Sequence, residues 1–547
     1  MRLIGSKVTT VALTLGAILG GTACSSSSLP NDVGSSFSPS ETGRSRQAFT
    51  SAEATLVDFE WDGEVVTDWT GGAPDAIGAQ VLYTVGALND VDSVGQLEKL
   101  VTTNVVVTPE PGGRYRVTYH AKLPVAWNVR QTRPSTFALT LPRVGIWNSL
   151  VAFSAAYGTT CVDPWAHDVN AGSLWYFYRP RAAACTFAAG DVVNVNATVA
   201  VSSQNTTGKY PEYHRIWQDD VLDAVVVYGK YEEGTTTSAD SGVAGYGLFV
   251  ERIRQKLGAV ALGPVTTLPA GVPSRPGVAY PDVTLEAMLP YAKKVRVHML
   301  LVDNVRTQGP AFDARFAALT PQADMVMYHG HAGLGANVRS LLEKGSYTAG
   351  HHLLFFMNGC DTFAYVDGRL RETRAALNAD DPSGTKYLDM VTNAMPSYAD
   401  AYSSEPVMLE ALVDYARPRT YADIFRGIDY RQVVVVTGEE DNEFTPGMPV
   451  GSLQPPPQTD AGAPEDSGPS TKPDGSVPNP TPTPGPSSTP PQTPPASPTT
   501  PTPGSAGAPE SGCACESAPG TRSSRTPVGW FGLAAGLGLV IARRRRA

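Results

Sequence analysis

Between Phe49 and Asp223 the apolar residues fall in short runs rich in Val, Thr and aromatics. They are Ala54–Trp61, Ala79–Val85, Val101–Val107, Tyr115–Leu123, Phe137–Leu141, Leu174–Tyr178 and Val192–Val201. Gly, Pro or Asn-Asp breaks the pattern roughly every 10–20 residues, so the segment predicts an antiparallel, β-rich unit of the sandwich kind over residues 48–222. After Asp223 the texture changes. Ala224–Tyr228, Val295–Val302, Met325–Tyr328, Leu353–Met357 and Gln432–Thr437 are nearly all apolar, and helical spacing separates them at Val243–Leu257, Ala311–Leu319, Asn337–Glu343, Pro406–Tyr415 and Tyr421–Gly427. Apolar strands alternating with helices predict a parallel sheet covered by helices on both faces, an α/β domain over residues 223–447. Sheets of this build place their chemistry at the carboxyl ends of the strands.

Composition adds limits. The chain has 547 residues, room for two or three folded units besides its tails. Its 42 basic and 52 acidic residues give a net charge of −10, and the only basic run is Arg543–Arg546. A nucleic-acid partner is therefore not expected. Nineteen of the 46 prolines lie between Gly451 and Glu510, so residues 448–512 read as an extended Pro/Thr/Ser-rich linker. Residues 25–47 are Ser-rich and read as a flexible tether.

The two ends read as addresses. A basic start, an apolar run from Val8 to about Ala23 and small residues before Cys24 make residues 1–24 a secretory signal. Gly21-Thr22-Ala23-Cys24 resembles a lipobox, which implies lipidation of Cys24; cleavage near Ala23 without lipid is the alternative. In residues 513–547, Cys513-Ala514-Cys515, the apolar run Val528–Ala542 and Arg543–Arg546 together resemble the myxobacterial C-terminal sorting tail. The resemblance implies sorting to the cell surface, with Cys513 and Cys515 as the sorting cysteines; a plain C-terminal membrane anchor is the alternative. Both predict an exported protein of the cell envelope or outer membrane, attached through lipid, the C-terminal segment or both. In such an oxidising space Cys161 and Cys185, 24 residues apart, predict a disulfide contributing ~3 kcal/mol. Cys360 is left over, and a spare thiol in an exported chain invites a chemical reading.

Two strand ends carry that reading. Asp324-Met-Val-Met-Tyr-His329-Gly330-His331-Ala332-Gly333 brings histidines out of one strand through a glycine turn, and Leu353-Leu-Phe-Phe-Met-Asn358-Gly359-Cys360-Asp361-Thr362 brings out a cysteine the same way. Consecutive parallel strands usually neighbour each other, so imidazole and thiol are expected to meet at one sheet edge. A histidine beside a cysteine supplies what thiol catalysis needs, a thiolate and a group that holds and returns its proton. Turns at Gly330, Ala332 and Gly359 can direct backbone N–H groups at an oxyanion. Over about residues 223–437 the chain resembles the caspase-like cysteine peptidases, closest to the gingipain branch. Tyr328-His329-Gly330-His331 matches that group's Tyr-x-Gly-His, and Cys360 its nucleophile. The resemblance implies a peptidase acting on protein or peptide substrates without a cofactor, with Cys360 as nucleophile and His331 as base, His329 being the alternative. Ala332 stands where the family usually has Gly, which bears on the oxyanion donors.

Other chemistries fit less well. His329-x-His331 has a zinc-ligand spacing, but the later histidines, His351 and His352, precede a strand rather than follow one, so no metal site is expected. No Gly-x-Ser-x-Gly elbow or P-loop lies between Ala224 and Thr437. Asp361 and Asp367 follow the thiol and are candidates for lining a pocket for a basic substrate side chain. Glu439, Glu440, Asp441 and Glu443 form an acidic end to the domain, read as a solvated face. The same scaffold without activity, serving as a surface binding or structural protein, is the second functional reading.

Overall fold

A computed structural model of the chain describes residues 48–366, 368–396 and 404–451. In its first half the strands are β1 (Phe49–Ser51), β2 (Ala54–Thr67), β3 (Val94–Gly95), β4 (Val101–Glu110), β5 (Arg114–Asn128), β6 (Thr136–Pro142) and β7 (Val192–Val201). Along β2, Phe59, Trp61 and Val65 turn inward while Glu60, Asp62 and Glu64 turn outward, the period of two that a half-buried strand requires. Strands β2 to β7 form one antiparallel sheet in the order β3-β5-β2-β7-β6, with β4 also on β5. This is a curled half-barrel, not the two packed sheets of a sandwich. A helix, Ala73–Asn89, takes the place of a second sheet and is buried on nearly every side. Its Gly86 lets the backbone of Trp175 and Tyr178 come close, since a β-carbon there would lie 2.6 Å from the Trp175 carbonyl oxygen. The runs Ala79–Val85 and Leu174–Tyr178, expected as strands, lie in this helix and in the helical turn Leu174–Phe177 that packs on it. The disulfide between Cys161 and Cys185 is formed.

The second half contains β8 (Val221–Gly229), β9 (Thr266–Leu268), β10 (Asp282–Met288), β11 (Lys294–Val302), β12 (Met325–His329), β13 (Leu353–Asn358), β14 (Leu388–Asn393) and β15 (Val434–Thr437). They form a nine-stranded sheet in the order β1-β15-β14-β13-β12-β8-β11-β10-β9. The five central strands, β14 to β11 in that order, are parallel, and antiparallel strands extend both sides, so the sheet is mixed rather than parallel throughout. Alternate residues feed two cores. Ala224, Val226 and Tyr228 of β8 pack with the helices Ser241–Val260 and Ser404–Val413 on one face. Val225 and Val227 pack on the other with the helices Pro310–Leu319 and Ala336–Lys344, in a core that continues without a break into the β half.

The membrane-anchored placement read from the chain ends is corrected here. Among the described residues no helix is long and apolar enough to cross a membrane. The longest, Ser241–Val260, carries Glu251, Arg252, Arg254 and Lys256 on a face turned away from the sheet. The signal segment, Cys24, the linker beyond Gly451, Cys513, Cys515 and the run Val528–Ala542 lie outside the described residues.

The halves are also tied at their hinge. β1 leaves the β half to pair with β15, and Phe49 exchanges backbone hydrogen bonds with Gln204 and Thr206. Behind this junction Glu439 is fully buried and accepts a 3.0 Å hydrogen bond from the Thr206 hydroxyl. The acidic stretch is thus no wholly solvated face. Burial, reinforced by nearby Asp389, pushes the Glu439 carboxyl up to about 8. An unfolded glutamate ionises near 4.3, so between about 4.3 and 8 the unfolded chain binds fewer protons than the folded one, and stability falls by about 1.4 kcal/mol per pH unit. Glu439→Gln removes that slope. In denaturant titrations at pH 5, 7 and 9 the variant is expected to gain on the wild type as pH rises, and parallel pH profiles would contradict the assignment.

Candidate functional site

The direction of the crossovers opens the site. After β8 the chain passes to the helix Ser241–Val260 on one face; after β12 it passes to Ala336–Lys344 on the other. β8 and β12 are neighbours, with Tyr228 opposite His329. Their carboxyl ends therefore diverge and leave a crevice at the point where the winding reverses, the usual place for a ligand in such sheets. β13 lies on the other side of β12, with Asn358 opposite His329. The two expected turns meet there. Gly330 N–H donates to the Asn358 carbonyl at 3.3 Å. A β-carbon on Gly359 would lie 2.8 Å from the Gly330 carbonyl oxygen and 3.3 Å from the Ala332 nitrogen. A glycine at 359 is what allows this approach.

The two histidines have different surroundings. His331 is partly buried, and its ring lies 5.0 Å from that of Tyr231, just past β8. Its Nε2 sits 3.0 Å from the Tyr231 carbonyl oxygen. That oxygen can only accept, so Nε2 carries the proton and Nδ1 presents a lone pair. Asp240 caps the helix Ser241–Val260 at Val243 N–H and also accepts from the amides of Tyr231 and Glu232, which holds the Tyr231 loop in place. The His331 carbonyl is in turn held by Tyr328 Oη at 2.8 Å and Asn337 Nδ2 at 2.7 Å. Burial lowers the pKa of His331, and neighbouring His329 acts in the same sense against the Tyr231 hydrogen bond. Together they keep the imidazole neutral at neutral pH.

His329 is buried on the opposite sheet face from Cys360, against the Tyr228 ring at 5.0 Å. Its Nδ1–H donates to Glu405 Oε1 at 2.5 Å, and Asn358 Nδ2 donates to the same oxygen. Burial alone would raise the Glu405 carboxyl, but His329 and the Asn358 hydrogen bond outweigh it and hold it below the ordinary glutamate range. Behind this group Asn393 Nδ2 donates to Asn358 Oδ1 at 3.1 Å and reaches Gln432, to which Ser404 also donates. Glu405 and Asn393 have no part in the sequence reading, and Gln432 enters it only as the start of an expected strand, which begins at Val434 instead. Helical spacing placed a helix from Pro406 onward, and nothing local marks Glu405 as the partner of a histidine 76 positions away.

Cys360 is outside the disulfide and has 3% of its surface exposed, packed in the core shared with the β half. Gly359 and Ala332 line the seam between the turns, whereas the Gly330 amide is engaged by Asn358. Asp361 is fully buried at φ 51°, and its carboxylate accepts from Asn89 Nδ2 at 3.0 Å. It faces the β half rather than a solvent-open pocket. Asp367 lies outside the described residues. Among the described residues no group of three or more His, Cys, Asp or Glu is arranged to hold a metal ion. No protein-family model matches the chain, and no curated protein or solved structure matches it either.

Glu405 is expected to support the whole edge. Glu405→Ala leaves His329 and Asn358 facing an empty buried site and should cost about 3–5 kcal/mol in urea unfolding. Glu405→Gln retains an acceptor and is expected to lose less. Equal losses would mean that the charge, not the volume or the acceptor, is what the site needs.

Proposed function

We propose that the protein is a cysteine endopeptidase of caspase-like, gingipain-type build, acting on protein or peptide substrates through Cys360 and His331. The observation that carries the reading is His331 itself. Its Nε2–H is committed to the Tyr231 carbonyl, its Nδ1 is left as an acceptor, and its turn packs on the one that bears Cys360. His329, tied to Glu405 on the other sheet face, is the weaker candidate for the base.

In the reaction, Nδ1 of His331 takes the Cys360 proton and the thiolate attacks the scissile carbonyl carbon. The developing oxyanion is received by backbone N–H groups at Cys360 and Ala332. His331 then gives its proton to the leaving amine as the C–N bond breaks, which leaves a thioester on Cys360. Water, deprotonated by His331, attacks the thioester; the acid product departs and the proton returns to sulfur. No cofactor takes part. A lowered pKa suits this cycle, because the base must be unprotonated when the thiol gives up its proton.

One observation favours the second reading, a silent scaffold that binds rather than cleaves. Cys360 is 3% exposed, and a nucleophile must be reached by a carbonyl carbon.

Labelling with a peptidyl acyloxymethyl ketone, which alkylates an activated thiol, separates the two. Wild type and His329→Ala are expected to label, and Cys360→Ala and His331→Ala are expected to lose labelling with their folds intact. Labelling lost in His329→Ala but kept in His331→Ala would exchange the roles of the histidines. No labelling of folded, reduced wild type would favour the silent scaffold.

A further inference from the structure

Asp361 follows the thiol directly, and the β half holds it. The residue sits at φ 51°, in the left-handed region that a residue with a β-carbon enters only at some cost, although Asp tolerates it better than most. Its N–H donates to the Met395 carbonyl at 3.1 Å, just past β14. Its side chain turns the other way, across the seam. Asn89, the last residue of the helix Ala73–Asn89, donates to Oδ2 at 3.0 Å. Burial pushes the Asp361 carboxyl up to about 6, against the favourable charge of Arg179. Around this polar contact the seam is apolar. Trp175 meets Tyr365 edge-on at 6.1 Å, and Phe49 meets Phe363 at 5.9 Å. A charged side chain fully buried at such a seam is tolerated only with partners, and the side chain that donates to it, Asn89, belongs to the other half.

We infer that Asn89 is a positioning residue for Cys360: by gripping the Asp361 carboxylate it holds the strained turn that aims the thiol toward the crevice. The role for the thiol rests on the peptidase reading above; the grip on the turn does not. The β half then serves the chemistry by completing the turn that carries the nucleophile.

A swap of the two side chains tests this in the full-length protein. Asn89→Asp sets two carboxylates against each other, and adding Asp361→Asn restores one donor and one acceptor while keeping a residue that tolerates the left-handed region. Iodoacetamide alkylation is followed at Cys360 by peptide mass spectrometry at pH 7. Asn89→Asp is expected to slow it about tenfold, the worth of one hydrogen bond to a charged group, and the swapped pair to recover to within about threefold of wild type. Asn89→Ala, the milder change, stands in if Asn89→Asp does not fold. Alkylation as fast as wild type or faster in folded Asn89→Ala and Asn89→Asp, or a swapped pair as slow as Asn89→Asp, would overturn the inference. If wild-type Cys360 reacts no faster than an ordinary thiol, the peptidase reading fails and hydrogen exchange at the Asp361 amide decides the grip alone. Exchange faster in Asn89→Ala and restored in the swapped pair supports it; unchanged exchange overturns it.

Discussion

The reversal of winding between β8 and β12 is the constraint on which the rest depends. Both strands are buried on both faces, so each must hand the chain to a helix, and these two hand it to opposite faces. No backbone then covers the gap between their carboxyl ends, and polar side chains can stand there without competing with a crossover. His331 reaches across that gap to the Tyr231 carbonyl, and its tautomer follows from the reach. A chain that crossed to the same face after both strands would have filled this space with a connection.

The opened edge needs support, because it places polar groups at the rim of an apolar sheet. That support is a continuous relay from His329 through Glu405, Asn358 and Asn393 to Gln432 and Ser404. Buried polar groups in such a chain are stable only while each finds a partner, so the relay ties five separate stretches of sequence to one geometry. His329 is then best understood as part of this foundation. Two histidines two positions apart diverge in task because β alternation sends the first into the sheet and the turn brings the second out of it.

Much of the α/β half was legible in the sequence, because strands buried on both faces must be apolar along their whole length. Ala224–Tyr228, Met325–Tyr328 and Leu353–Met357 announce themselves in that way. β14 does not, since Asp389, Thr392 and Asn393 interrupt its apolar run to serve the polar contacts at its two ends. The helix Ala73–Asn89 misleads for the opposite reason: buried nearly all round, it has no polar stripe, and Ala79–Val85 reads like a strand. At the site, His331, Cys360 and their glycines were visible because the chemistry sits beside a local turn. Glu405 and Asn89 were not, since each matters only through a contact 76 or 272 positions away.

Those long-range contacts also bear on how the two halves relate. A β unit followed by an α/β unit reads as two modules joined by a hinge, each with its own core. Here the core is continuous from Phe59 and Trp127 in the half-barrel to Met357 and Phe363 beneath the thiol. Opening the halves would expose that apolar surface and leave Asp361 and Glu439, both buried at the junction, without the partners that the other half provides. Apolar burial and buried carboxyls penalise the same motion, so the pair behaves as one cooperative body rather than as two domains free to swing. The low exposure of Cys360 follows from the same fact. The thiol lies at the seam where the halves meet, packed in the core that both share.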